Sequence, residues 1–141
     1  MGTRRLSREL AIKVLFYLEF SDDNPGIAFD LISDNFEASD EIKPFSRESV
    51  LGVCSHIEAI DDLISKTSKN WKIKRIAKIE LSILRLAVYE LLYNEDIPSK
   101  VSMNEAIEIA KEFGDDNSGS FVNGILDKIF ITVQPKHEEK V

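Results

Sequence analysis

Apolar residues recur at spacings of three and four along almost the whole chain, and this period limits the possible folds more than any other feature. Near the N-terminus the pattern includes Leu10, Val14 and Leu18. A helix places these residues on one face and leaves Arg8 and Lys13 elsewhere on its surface. No segment shows the alternation between turns that is typical of β-strands. The pattern predicts an all-α fold, a single compact domain of about six or seven helices.

Residues typical of helix starts divide the N-terminal half of the chain. Asn24 is predicted to be an N-cap, with Pro25 at the first helical position. Ser46 is predicted to cap a longer helix whose apolar stripe continues to Ile64. Cys54 lies on that stripe, so we expect it to pack in the core rather than to act as a nucleophile.

The C-terminal half begins with a strongly apolar segment. Apolar residues on most sides of residues 73–92 predict a buried central helix. Ser102 and Glu105 have the spacing of a capping box, so they predict the start of the next helix. Gly114 is predicted to be the C-terminal cap of that helix.

The last helix is predicted to begin near Asn117 or Ser118 and to contain Asn123 and Gly124 in its interior. A glycine inside a helix costs about 1 kcal/mol relative to alanine. We therefore expect the backbone of another helix to approach closely at Gly124. Asn123 is expected to satisfy a buried polar group or to hold the preceding loop, with direct ligand contact left open.

The length of 141 residues and the apolar content of 43% suit one domain with a conventional core. Pro135 and the charged residues after it predict a helical domain over residues 1–134 and a flexible tail over residues 135–141. No apolar run approaches the roughly 18 residues that a membrane span requires. We expect a cytoplasmic protein that does not interact with membranes.

Residue types that carry catalysis or bind metals are sparse. Cys54 is the single cysteine, and His56 and His137 are far apart in sequence, which argues against a disulfide and against a standard zinc site. Glycine-rich phosphate loops, Gly-x-Ser-x-Gly motifs and paired-histidine zinc motifs are missing from the sequence. We expect no metal, no cofactor and no catalytic residues.

Basic residues are concentrated in two segments of a chain whose net charge is −7. Residues 1–18 hold four basic residues against one acidic residue, and residues 66–85 hold seven against one. Residues 19–65 hold two basic residues against twelve acidic ones. If the two basic segments adjoin in space, they form a patch that suits a polyanion. The alternative is that both are solvated helix faces.

Four sequence blocks together resemble the NusB family of transcription antitermination proteins. They are RRLSRELAIKVLF at residues 4–16, Trp71 followed by KIKRI, ILRLAVYELLYNEDIPSKVSMNEAIEIAKEFG at residues 83–114, and FVNGILDKI at residues 121–129. They occur in the order and at the separations typical of the family. The resemblance covers almost the whole chain except about residues 20–48 and the tail.

The resemblance implies a non-enzymatic, all-helical RNA-binding adaptor built from two packed helical sub-bundles. Such an adaptor binds the boxA element of nascent ribosomal RNA, which is single-stranded, together with NusE, a small-subunit ribosomal protein. The complex joins elongating RNA polymerase, suppresses premature termination and assists ribosomal RNA maturation. Family members occur as monomers and as dimers, so a homodimer that covers the RNA site is possible.

Candidate RNA-binding residues come from the resemblance and from charge. Arg4, Arg5 and Arg8 fall on the arginine-rich motif of the family, and a guanidinium can bind phosphate oxygens through two parallel hydrogen bonds. Charge alone suggests that RNA contacts continue over four further basic residues, Lys72, Lys74, Arg75 and Lys78. A structural role for Arg75 or Arg85, each paired with a carboxylate, is an equal alternative.

Aromatic residues are expected to contribute little to RNA binding. Phe16, Tyr89 and Phe113 fall in apolar helical patterns and are predicted to be core residues. Tyr17 and Trp71 are less clearly part of these patterns and are not assigned to the core. We therefore expect modest affinity dominated by phosphate contacts, with a partner protein needed for tight binding.

Candidate partner-binding residues are implied by the resemblance. Glu80 and Phe121 match positions at or near the family's contact with NusE and RNA. Asn117 stands where some members carry an acidic residue, so it either tunes affinity or acts as a helix N-cap.

Two other functions stay open. One is an RNA-positioning domain of a ribosomal RNA cytosine methyltransferase, which also has a NusB-like part. The other is a helical protein-interaction module without RNA affinity.

Overall fold

The computed structural model describes residues 3–36, 40–68 and 72–138, with side chains through residue 133. Over these residues the chain forms seven α-helices and no strand, which confirms the predicted all-α fold. The helices are α1 (Thr3–Leu18), α2 (Pro25–Ser33), α3 (Lys43–Ser55), α4 (Ile57–Thr67), α5 (Lys78–Tyr93), α6 (Ser99–Phe113) and α7 (Asp116–Glu138), with one 3₁₀ turn at Ile73–Arg75. Within this part of the chain no helix is both long enough and apolar enough to cross a membrane.

Helix α5 is the centre of the fold, as its sequence predicts, but it begins at Lys78, and Ile73 lies in the separate 3₁₀ turn. It packs against α1, α3, α4, α6 and α7. Its buried side chains include Leu81, Leu84, Val88 and Leu91, which lie on several sides of the helix. Helices α1, α2 and α3 pack against one another on one side, while α7 packs against α4 and α6 on the other. This arrangement agrees with the predicted pair of packed sub-bundles.

The predicted start of α2 is confirmed, but the predictions for α3 are wrong. Asn24 Oδ1 accepts the backbone N–H of Gly26 at 2.8 Å, as an N-cap does. Helix α3 begins at Lys43, because Pro44 suits the first turn, and Ser46 lies buried one turn inside the helix. The single long helix expected after Ser46 is divided into α3 and α4 at His56, whose backbone leaves the helical conformation.

The capping box predicted at the start of α6 is wrong. The helix begins three residues earlier at Ser99, directly after Pro98. The Ser102 hydroxyl donates to Glu90 on α5 at 2.6 Å, and Glu105 pairs with Arg5 on α1. Both polar side chains therefore serve contacts between helices. The predicted C-terminal cap at Gly114 is confirmed.

Three predictions for α7 are also wrong. Asp115 caps this helix, since its Oδ1 accepts the Ser118 N–H at 3.0 Å, and Asn117 is therefore not the N-cap. Asn123 is exposed and hydrogen-bonds no buried group in the described part of the chain. A Cβ added at Gly124 would meet no heavy atom of the described residues within 4 Å, so none of the described helices approaches there. Helix α7 continues past Pro135 to residue 138, and the flexible tail over residues 135–141 stays a prediction.

Gly124 predicts a simple stability test. Replacing Gly124 by alanine should raise the free energy of unfolding by about 0.5–1 kcal/mol, because the site is helical, exposed and open. Urea unfolding measures this change. Gly52→Ala is the control and should destabilise, because its Cβ would collide with the Tyr89 ring. A loss of stability in Gly124→Ala would contradict this account of α7.

Candidate nucleic-acid interface

Arg8 is buried, with 4% of its surface exposed, so the expectation that it lies on the surface of α1 is wrong. Its Nε and Nη2 donate to the two oxygens of Glu90 on α5 at 3.0 and 3.1 Å. The Ser102 hydroxyl from α6 donates to the same carboxylate. A buried charge needs such a partner, and this group of three residues fixes α1 against α5 and α6.

Arg5 lies one turn nearer the N-terminus and is partly exposed. Its Nε and Nη2 both donate to Glu105 on α6, with the Nη2 bond at 2.7 Å. Its Nη1 lies 3.8 Å from a carboxylate oxygen of Glu112. The bonds to Glu105 raise the pKa of Arg5, and the same bonds lower the pKa of Glu105. Arg5 is thus held in one orientation with Nη1 directed away from Glu105.

Arg4 is exposed at the start of α1. The carbon of its guanidinium lies 4.0 Å from the centroid of the Phe45 ring, which belongs to α3. Among the described residues it forms no ion pair, so its N–H groups are available to an anion. Stacking on a ring orients a guanidinium without using its hydrogen-bond donors.

Lys78, at the C-terminal side of the second basic segment, lies far from Arg4. Lys78 Nζ lies 3.3 Å from Glu19, which follows the C-terminal end of α1. Arg4 and Glu19 are 15 positions apart, which corresponds to roughly 22 Å along a helix. Lys78 therefore does not share a patch with Arg4, and contact between the rest of the two basic segments stays a prediction.

Within the second segment, the positive charges differ in their surroundings. Arg85 donates two hydrogen bonds to Asp61 at 2.8 Å and a third to Glu19, which confirms its structural role. Burial opposes ionisation of Glu19, but Arg85 and Lys78 outweigh it and lower the Glu19 pKa. Lys72, Lys74 and Arg75 are exposed and form no ion pair among the described residues. Trp71 lies outside the described residues.

The three predicted partner-binding residues meet at one groove of about 240 Å³. Glu80 comes from the first turn of α5, and Asn117 and Phe121 come from the first two turns of α7. Arg75 also lines this groove, with the apolar floor supplied partly by Ile76. The groove combines a positive group, a negative group, an amide and an aromatic ring.

The groove lies near the N-terminal arginines. Glu112, which faces Arg5, is five residues before Asn117 in the chain. Even a fully extended chain of that length spans at most roughly 18 Å between Cα atoms. The groove and Arg5 are therefore close to each other in the fold.

Two aromatic predictions are wrong and one is confirmed. Phe16 and Phe113 are 37% and 38% exposed, whereas Tyr89 is buried as expected. The Tyr17 hydroxyl is hydrogen-bonded to Asp23.

Sequence reasoning missed residues that lie beside the arginines. Phe45 and Glu112 have no local signal, because each is distant in sequence from the arginine it faces. A signal for Arg8 did exist, since it lies four residues before Ile12 on the buried face of α1.

The comparisons with known proteins decide the family. The model of the NusB family matches residues 5–130. The chain is 45% identical over 140 residues to a transcription antitermination protein NusB of Syntrophus aciditrophicus, covering 99% of this chain and 87% of that protein. It is 44% identical to the NusB of Geobacter sulfurreducens, covering 96% of this chain and 99% of that protein. The chain belongs to the NusB family.

Solved structures of other NusB family members have the same fold. NusB of T. maritima superposes with a TM-score of 0.87 at 40% identity, covering 98% of this chain and 97% of that one. A complex of the antitermination factors NusB and NusE with double-stranded RNA contains a chain that superposes with a TM-score of 0.83 at 28% identity. That match covers 94% of this chain and 98% of that one.

The buried ion pair predicts a large effect of one substitution. Arg8→Ala should lower the free energy of unfolding by about 3–5 kcal/mol, because Glu90 would stay buried without its charge partner. Urea unfolding measures the loss. Arg4→Ala is the control and should change the free energy by no more than about 0.5 kcal/mol, since Arg4 is exposed. Equal effects in the two variants would refute the structural role of Arg8.

The lowered pKa of Glu105 predicts a pH-dependent contribution to stability. In the unfolded chain this pKa returns to about 4.5, so the stabilisation is present above that pH and is lost as pH falls through the lower folded-state value. The difference in free energy of unfolding between wild type and Glu105→Gln should therefore narrow as pH falls below about 4.5. Glu108→Gln, on the exposed face of α6, is the control and should show only a small difference, because an exposed ion pair contributes little to stability.

Proposed function

We propose that this chain is a transcription antitermination factor, a non-enzymatic adaptor that binds boxA of nascent ribosomal RNA together with NusE. The observation that carries the proposal is the near full-length similarity to proteins named transcription antitermination protein NusB. The shared fold with the NusB of a NusB–NusE–RNA complex supports the two partners.

The RNA contact is assigned first to Arg4 and Arg5. Arg4 is exposed and stacked, and Arg5 is held by Glu105 so that Nη1 stays directed outward. Preorganised guanidinium groups lose little side-chain entropy when they bind phosphate. Arg8 is assigned a positioning role, because its guanidinium is buried in the contact with Glu90.

The groove between α5 and α7 is assigned to the contact with NusE and the adjoining RNA. Glu80 and Arg75 offer opposite charges, while Phe121 and Ile76 offer apolar surface. Mixed surfaces of this kind are typical of specific protein interfaces. Asn117 places no charge at the rim, so it would not repel RNA as a carboxylate would.

Exposed Lys72, Lys74 and Arg75 are assigned to a second phosphate contact beside this groove. Lys78 contributes less, because Glu19 already neutralises part of its charge.

The wider assembly is also part of the proposal. The adaptor joins elongating RNA polymerase in the cytoplasm, where it suppresses premature termination and assists ribosomal RNA maturation. A homodimer that covers the arginines would hold the factor in a form that does not bind RNA. The relatives are named as transcription antitermination proteins, which favours this role over an RNA-positioning domain of a methyltransferase.

RNA affinity measured at several salt concentrations tests the proposal. For roughly four neutralised phosphates on a single strand, the slope of log K against log salt should be near −3. The Arg4→Ala/Arg5→Ala variant should bind more weakly and reduce that slope to about −1.4. Adding NusE should strengthen binding to boxA more than binding to a scrambled RNA.

The charge-matched control is Lys66→Ala/Lys128→Ala, which removes two exposed lysines to which no RNA contact is assigned. This variant should have an RNA affinity and a slope of log K against log salt close to those of the wild-type protein. Absence of binding to either RNA, with NusE present and the fold intact, would refute the adaptor function and favour a protein-interaction module.

A further inference from the structure

The two ends of the Arg5 guanidinium are in different environments. Nε and Nη2 are occupied by the bidentate contact with Glu105. Nη1 lies 3.8 Å from Glu112, which is beyond the usual hydrogen-bond distance of about 2.7–3.2 Å. Nη1 therefore retains both of its N–H donors for another anion.

Glu112 lies beside Nη1 but is too far away to form a hydrogen bond with it. Its side chain is 51% exposed, whereas that of Glu105 is 24% exposed. A phosphate oxygen that bonds Nη1 must come close to the Glu112 carboxylate, and two negative charges at that distance repel each other. Glu112 must then move away, or the phosphate binds less tightly.

Glu9 adds a second carboxyl group at the same place. It lies one helical turn after Arg5 on α1, and the carboxyl of Glu112 is close enough to raise the pKa of Glu9. The positive groups that oppose this effect on Glu9 are Arg5 and Lys13, both on α1. Glu105 from α6 is already neutralised by its contact with Arg5.

We propose that Glu112, supported by Glu9, competes with RNA phosphate for Nη1 of Arg5 and thereby limits the affinity of the arginine cluster for RNA. This inference rests on the proposed RNA-binding function. The competition makes binding by the chain alone weak, so that a partner protein is needed to retain the RNA.

The competition also makes RNA binding depend on pH. Burial, together with the neighbouring carboxyl of Glu112, raises the pKa of Glu9. Below that raised pKa Glu9 is protonated, so the pair of carboxyls carries one negative charge less. RNA then meets less repulsion, so affinity should rise as pH falls.

The test compares Glu112→Gln with Glu108→Gln for binding to boxA RNA. Both variants remove one carboxylate from α6, but Glu108 pairs with Lys111 on the exposed face. Glu112→Gln should bind RNA roughly two- to fivefold more tightly than wild type, the range expected for one partly exposed charge pair. Glu108→Gln should bind like wild type.

A second measurement follows RNA affinity from pH 7.5 down to about pH 4.5, the ordinary pKa of a glutamate, in wild type and in Glu112→Gln. Wild type should gain more affinity than the variant, and the two histidines are identical in both proteins, so their titration cancels. Equal affinity of Glu112→Gln and Glu108→Gln, or equal pH dependence in wild type and Glu112→Gln, would overturn the inference while leaving the RNA-binding function intact. Failure of wild type to bind RNA under any of these conditions would overturn both.

Discussion

The buried contact between Arg8 and Glu90 is the interaction on which the rest of the structure depends. It brings two full charges into the core, where each is tolerated only because the other is present. Ser102 completes the contact from a third helix. The register of α1 against α5 and α6 is therefore fixed by polar geometry, and not by apolar packing alone. That register determines where the exposed arginines at the start of α1 can point.

The surroundings of Arg4 and Arg5, the two arginines that precede Arg8, follow from this arrangement. Arg5 is close enough to α6 to be held by Glu105, and Arg4 is one residue further out, where Phe45 supplies a ring to stack on. The fold thus gives the three arginines of the motif different surroundings. Arg8 is buried in an ion pair, Arg5 is held by a carboxylate, and Arg4 is exposed. The acidic remainder of the chain lowers indiscriminate attraction to nucleic acid, because a negatively charged surface repels phosphate.

The fold was predictable because its main signals are local. The period of three and four identified α1 and α5, and Asn24 marked the start of α2. Predictions were wrong where a polar side chain could bond either its own helix or another one. Ser102 and Glu105 have the spacing of a cap, but both bond residues on other helices. Glycine at position 124 suggested a close contact that does not exist. For the candidate site, motif and charge identified the arginines and the groove residues, but not the distant carboxylates that orient or oppose them.

The central claim is that the exposed arginines at the start of α1 bind RNA while the buried one holds the fold. The most direct test is an NMR titration that follows the Nε–H signals of the arginine side chains as boxA RNA is added. We expect the signals of Arg4 and Arg5 to shift, and those of Arg8 and Arg85 to stay unchanged, because both lie in internal ion pairs. Shifts confined to other arginines, or no shifts at all, would contradict the account.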